Sequence, residues 1–199
     1  MALIVGITGG IGSGKSTVCK IFKILNIPVF EADLTAKELL DNNKIKQLLF
    51  DIFGVTVFNP DRTVNRQILA DLVFNDNNKL NQLNSIIHPA VREEFILWAD
   101  KMQKLPYIIL EAAILFESGF DKLTDYTILV AAPVPQKIER VMRRDGINEE
   151  KVRARMKNQL PEEEIRKHAD YILFNDNTKL IIPEIIEIDN NLKSYGKIR

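Results

Sequence analysis

Among 199 residues there is a single cysteine, Cys19. No internal disulfide can form, and the residue lacks the neighbours that a zinc site needs. A reducing compartment follows. Net charge is missing as well, since 27 Lys and Arg balance 27 Asp and Glu. That balance argues against a chain-wide electrostatic grip on nucleic acid or on an anionic membrane. Long apolar runs are lacking too. The longest, residues 107–116, is interrupted by Glu111 and falls far short of a bilayer span. The opening residues MALIVGITGG carry no basic flank, so they read as a buried strand rather than a signal peptide. There is no repeat, low-complexity tract or linker. What remains is a cytoplasmic protein with no obligate protein partner evident, sized for one domain with insertions.

Five short runs are nearly all apolar: LIVGI (3–7), PVFEA (28–32), YIILEA (107–112), YTILVAA (126–132) and DYILF (170–174). Strands buried on both faces of a parallel sheet have this composition. Helical patterns separate them: one opening inside GKST and running to about residue 26, a pair over 135–145 and 148–158 broken at Asp145-Gly146, and a last from about 179 to 195 with Pro183 at its start. The alternation predicts an open α/β sheet. Residues 34–106 break the rhythm with mostly helical sequence, interrupted at His88-Pro89. A crossover needs only about a dozen residues, so the surplus reads as a helical insertion suited to substrate specificity.

The segment GITGGIGSGKST (6–17) contains Gly9-x-x-x-x-Gly14-Lys15-Ser16, placed directly after a strand and opening a helix. Glycines allow successive backbone N–H groups to turn inward and form an anion nest at a helix N-terminus. Lys15 brings a point charge to the β and γ oxygens, and the Ser16 hydroxyl suits Mg²⁺. ATP or GTP is the implied ligand. A GTPase would carry Asn-Lys-x-Asp after a later strand, and the nearest strings, at 43–46 and 78–81, do not end in aspartate. Glu111, at the end of an apolar strand, is a candidate for the metal shell, with an ordinary polar residue at the sheet edge as the alternative.

Asp33 falls at the end of the second strand, where ligands of open α/β sheets gather. A carboxylate there can accept a hydrogen bond from a substrate hydroxyl and orient it for in-line attack. The alternative is an N-cap for a helix starting at Leu34. Glu31, two residues earlier, would share its strand face. Residues 137–157 hold eight basic against four acidic residues. Arg140 and Arg144 share a helix face, as a lid closing over a nucleotide requires, though a solvated helix pair has the same pattern.

Taken in order, these blocks resemble the dephospho-coenzyme A kinase family. The glycine loop with its Thr-Gly-Gly lead-in, PVFEAD (28–33), DRTVNR (61–66) with LADLVF, IIHP (86–89), AAILFESGF (112–120), APVPQKIERVMRRDG (132–146), NQ (158–159) and HADYILFNDN (168–177) follow that family's pattern over most of the chain. The resemblance implies a P-loop NTPase fold with an open five-stranded parallel sheet. It implies a core of about 1–33, 104–136 and 168–199, a coenzyme A-binding insertion over about 34–103 and a lid over about 137–167. It implies phosphorylation of the ribose 3′-hydroxyl of dephospho-CoA by ATP with Mg²⁺. Asp33, Lys15 and Arg140 would be catalytic. Gly10, Gly12, Ser13, Gly14, Lys15, Ser16, Thr17 and Arg144 would hold ATP, with Ser16 on the metal. Thr8, Asp33, Arg66 and His88 would serve the acceptor; for His88, capping or packing is the alternative. Three positions depart from the pattern: Glu31 where aspartate is usual, Ala113 in place of proline, and Arg62 where glycine is common. Other readings are a P-loop kinase of a nucleoside monophosphate or other small alcohol, and an ATPase that regulates a partner. Cys19 is expected in the core, and His168 at the surface near a helix end.

Overall fold

The computed structural model describes residues 2–74 and 76–196. All five apolar runs form strands: β1 (Leu3–Thr8), β2 (Val29–Glu31), β3 (Tyr107–Glu111), β4 (Tyr126–Ala131) and β5 (Tyr171–Phe174). Every pairing is parallel, in the order β2-β3-β1-β4-β5. The helices are α1 (Lys15–Ile24), α2 (Ala32–Leu39), α3 (Asn43–Phe53), α4 (Arg66–Phe74), α5 (Asn77–Asp100), α6 (Val134–Asp145), α7 (Glu149–Met156), α8 (Glu162–Arg166) and α9 (Ile182–Gly196). The open α/β sheet expected from the sequence is the observed architecture. Two compact units divide the chain: one runs up to Glu31 and resumes at Ala99, and the other is Ala32–Trp98.

The sheet is what fixes the first unit. Leu3, Val5, Ile7, Ile109, Ile128 and Val130 cluster with Val18 and Phe22 of α1 and with Ile185, Ile188 and Leu192 of α9. Burying each such aliphatic side chain contributes about 1.5–3 kcal/mol against leaving it in water. Leu129 and Ala131, at the alternate positions of β4, pack with Ile165 of α8. Cys19 lies in the main core, as expected. Burial, with the carboxylates of Glu111 and Glu31 in support, pushes its thiol up to about 12, so it stays protonated and inert. A buried polar link joins β3 to α9: the Tyr107 hydroxyl donates to Asp189 Oδ1 at 2.6 Å, and Lys193 Nζ donates to Asp189 Oδ2 at 2.7 Å. Burial and this bond hold the Tyr107 phenol well above its ordinary value.

Three local expectations are corrected. The helix after β2 starts at Ala32, so Asp33 is inside its first turn and is not an N-cap. Because Asp33 is helical, the two-residue alternation that would have paired it with Glu31 on one strand face does not reach it. The second correction is at His88-Pro89, which interrupts nothing: α5 continues through both. Proline in a helix forfeits one hydrogen bond and crowds the carbonyl four residues back. The buried side chains Ile86, Ile87, Val91 and Phe95 on either side hold the helix in spite of that. Third, α8 was not foreseen; Pro161 caps its start and three glutamates follow in its first turn, as the helix dipole favours.

No helix among the described residues is long and apolar enough to cross a membrane.

Candidate active site

β1 ends at Thr8 and α1 begins at Lys15, so residues 9–14 form the loop between strand and helix. Gly14 precedes α1 with φ 99°, in the left-handed region, and Gly12 has φ 81°. Conformation is only half of their requirement. A Cβ on Gly12 would lie 2.3 Å from the Lys137 carbonyl oxygen, and one on Gly14 would lie 2.1 Å from Asn175 Nδ2. The loop is therefore gripped by α6 and by the end of β5 at a separation only a hydrogen side chain permits.

The grip is polar. Asn175 Nδ2 donates to the Ser13 carbonyl at 2.8 Å. Arg140 of α6 donates through Nη1 to the Ser13 and Gly12 carbonyls at 3.3 and 3.4 Å, and through Nη2 to the Asn175 carbonyl at 2.8 Å and Asn177 Oδ1 at 3.1 Å. A trans peptide points its C=O and the next N–H in opposite directions. With the Ser13 carbonyl turned toward Asn175 and Arg140, the Gly14 N–H faces away from both. Farther along the loop, Gln159 Oε1 accepts from the Ile11 N–H at 2.8 Å, while its Nε2 donates to the Ala113 carbonyl at 3.1 Å. Lys137, only 4% exposed, pairs with Glu162 at 2.8 Å. Burial opposes ionisation of Glu162, but hydrogen bonds from Lys137 and Arg166 win and hold its carboxyl below the usual range.

Inside the loop, Lys15 Nζ donates to the Gly9 carbonyl at 2.7 Å. Thr8 Oγ1 and Ser13 Oγ are buried and have no hydrogen-bond partner among the described residues. Thr8 ends β1, and the Ser13 hydroxyl lies close to Gly9, the first residue of the loop. Ser16 and Thr17 are exposed at the start of α1. Glu111 ends β3 in register with Ile7 of β1 and Glu31 of β2, and it is 8% exposed. Glu31 itself makes an ion pair with Lys23 of α1. Thus Thr8, Gly10, Gly12, Ser13, Gly14, Lys15, Ser16, Thr17 and Arg140 come together. Arg144 does not join them by any hydrogen bond: its guanidinium is paired to Asp145, which also receives Arg155 of α7.

The remaining candidates belong to the unit Ala32–Trp98. Asp33 is exposed in the first turn of α2. Arg66 opens α4 and donates to the Lys37 carbonyl at 3.1 Å and to Asp41 Oδ2 at 2.9 Å, tying α4 to the far end of α2. His88 is half-buried in the middle of α5, where burial lowers its pKa, and a mid-helix place rules out capping. Arg62 has φ 66°, which explains why glycine suits that position. His168 is exposed just beyond α8, as expected, with its ring 5.8 Å from that of Phe116.

Gln159, Asn175 and Lys137 escaped assignment from sequence. Each acts on a loop more than 120 residues away in the chain. Their only advance signal lay in the blocks that contain them, which matched a family pattern without showing what the side chains do.

A family model described as dephospho-CoA kinase matches residues 3–180. A dephospho-CoA kinase from Bacteroides fragilis is 37% identical over 189 residues, covering 94% of this chain and 92% of its own. Among solved structures, TT1252 from Thermus thermophilus superposes with a TM-score of 0.84 at 34% identity, covering 96% of this chain and 97% of that one. A dephospho-CoA kinase from Campylobacter jejuni gives a TM-score of 0.72 at 27% identity, covering 98% of each.

Proposed function

The chain belongs to the dephospho-CoA kinase family, and from that premise we propose that it transfers the γ-phosphoryl group of ATP to the ribose 3′-hydroxyl of dephospho-CoA, completing coenzyme A. The observation that carries this reading is the glycine loop between β1 and α1, braced from outside by Arg140 and Asn175, with Lys15 at the head of α1 folded back onto the Gly9 carbonyl. Loose phosphoryl-transfer transition states ask little covalent chemistry of a protein; they ask for placed charge and placed reactants.

Lys15 supplies charge to the β and γ oxygens on leaving the Gly9 carbonyl, a neutral partner that an anion outcompetes. Gly10, Gly12, Ser13, Gly14, Ser16 and Thr17 surround the phosphates, and Thr8 adds a buried hydroxyl toward the acceptor. Arg140, already beside the loop, adds charge to the transferring group, and Arg144 reaches ATP only by exchanging Asp145 for it. Asp33 accepts the hydrogen bond of the attacking hydroxyl, with Arg66 and His88 on the acceptor side.

The donor set also fits Mg²⁺. Among the described residues no group of three His, Cys, Asp or Glu is placed to hold a metal ion. A cation here would take most of its ligands from phosphates and water, with the exposed Ser16 hydroxyl as the protein's contribution, which is how Mg²⁺ is commonly bound. When bound it would neutralise charge on the β and γ oxygens. The insertion over about 34–103 binds the acceptor in this reading, and residues of about 137–167 cover the nucleotide. A cytoplasmic setting belongs to it as well, supported by the lone buried thiol.

The test is ADP release by the purified protein with ATP and Mg²⁺, with and without dephospho-CoA, and the product weighed by mass spectrometry. ADP that depends on the acceptor, with coenzyme A appearing, is the expected result. ADP release indifferent to dephospho-CoA would overturn the reading.

A further inference from the structure

Gln159 lies past the end of α7, yet both ends of its amide are engaged far away in sequence. Oε1 takes the N–H of Ile11, between Gly10 and Gly12 at the crown of the glycine loop, and Nε2 reaches the carbonyl of Ala113, two residues after β3. The next residue extends the attachment: the Leu160 N–H donates to Glu117 Oε1 at 2.8 Å. The segment leaving α7 is thus fastened at two points to the turn after β3, and through Gln159 to the loop crown. The other braces, Arg140 and Asn175, hold the loop from carbonyls at residues 12 and 13. Gln159 holds the residue just before these, and through an N–H.

We propose that Gln159 is a positioning residue for phosphoryl transfer. It acts through Ile11 and Ala113: it fixes the crown of the loop against the turn after β3, so that the loop's other N–H groups keep the spacing phosphate oxygens require. A planar amide suits the task because it accepts and donates at the two ends of one rigid group. A carboxylate would accept from Ile11 but oppose the Ala113 carbonyl. The proposal rests on the nucleotide reading of the loop and not on the identity of the acceptor.

ATP affinity, measured by titration calorimetry without any acceptor, is therefore the readout, for wild type, Gln159→Ala and Gln159→Glu. Losing both hydrogen bonds in Gln159→Ala should weaken ATP binding about tenfold. Gln159→Glu carries a sharper signature. Its introduced carboxyl, when protonated, keeps the acceptor and regains an O–H donor, so affinity should match wild type at acid pH. Its affinity relative to wild type should then fall as pH rises through the titration of that carboxyl, a step a merely structural side chain would not create. If Gln159→Ala does not fold, the pH series of Gln159→Glu decides alone. Affinity of Gln159→Ala within about twofold of wild type, or a ratio for Gln159→Glu that stays flat with pH, would overturn the proposal. Wild-type protein that binds ATP but leaves dephospho-CoA untouched would sink the functional reading and leave this comparison standing.

Discussion

The two units present their polar groups in opposite ways. Around the glycine loop the polar side chains are engaged before any ligand binds: Lys137, 4% exposed, is paired with Glu162, Asn175 donates to the Ser13 carbonyl, and Arg140 serves four carbonyl or amide oxygens of the loop and the β5 end. In Ala32–Trp98 the charged candidates Asp33 and Arg66 lie at the surface, and Arg66 is tied to the Lys37 carbonyl of α2 and to Asp41 just beyond it. A site that reads phosphate through backbone N–H groups has to be rigid before the ligand arrives, because the peptide has no rotamers with which to adapt. A site that reads a hydroxyl through a carboxylate can leave that carboxylate solvated until the acceptor comes. The difference implies separable consequences of mutation.

The largest expected effect tests that separation. Asp33→Asn should cut kcat by about 10²–10⁴-fold, the range of a lost positioning or general base group, with ATP affinity unchanged. Steady-state kinetics beside ATP titration would show the split, and unaltered turnover would remove Asp33 from the chemistry. Lys15→Ala is the contrasting case and should damage both ATP binding and turnover.

Next comes Gly12→Ala. Its Cβ would meet the Lys137 carbonyl at 2.3 Å with φ at 81°, so loop and α6 must separate. Overpacking of this kind costs about 1–3 kcal/mol. Falling melting temperature together with falling ATP affinity is expected; a variant that melts and binds like wild type would show that the loop is not braced by α6.

Asp189→Ala should uncouple the two readouts within the core unit. It leaves the buried Tyr107 hydroxyl without its partner, at a cost of about 1–3 kcal/mol. Urea denaturation should register the loss while the KM for ATP stays put. The smallest effect belongs to the insertion. Arg62 has φ 66°, and left-handed backbone costs a non-glycine residue about 1–2 kcal/mol, of which glycine's greater unfolded freedom returns a part. Arg62→Gly should raise the urea midpoint slightly and leave ATP affinity alone, and a lowered midpoint would mean that the Arg62 side chain contributes more than its backbone costs.

How much of this was readable in advance depended on distance along the chain. Strand, loop, Lys15, Ser16 and helix form one segment of about twenty residues, and each requirement of an anion nest is local: a strand to deliver the loop, glycines to turn it, a helix start to orient the N–H groups. The five strands announced themselves because burial on both faces demands unbroken apolar runs. Local rules also erred where packing outweighed them. Proline predicted a break at His88-Pro89, but buried neighbours carry α5 through it, and the helix after β2 starts at Ala32, two residues earlier than capping by Asp33 suggested.

The sequence by itself determined the α/β class and the glycine loop between strand and helix, because those follow from short-range backbone geometry and side-chain chemistry. Only the tertiary structure decided the strand order β2-β3-β1-β4-β5 and the choice of Asn175, Gln159, Lys137 and Arg140 as the frame around the loop. The physical reason is the range of the interactions. A hydrogen bond between residues 162 apart leaves no periodicity or spacing to read, and it exists only once the parallel sheet has brought the carboxyl ends of β1 and β5 to one side.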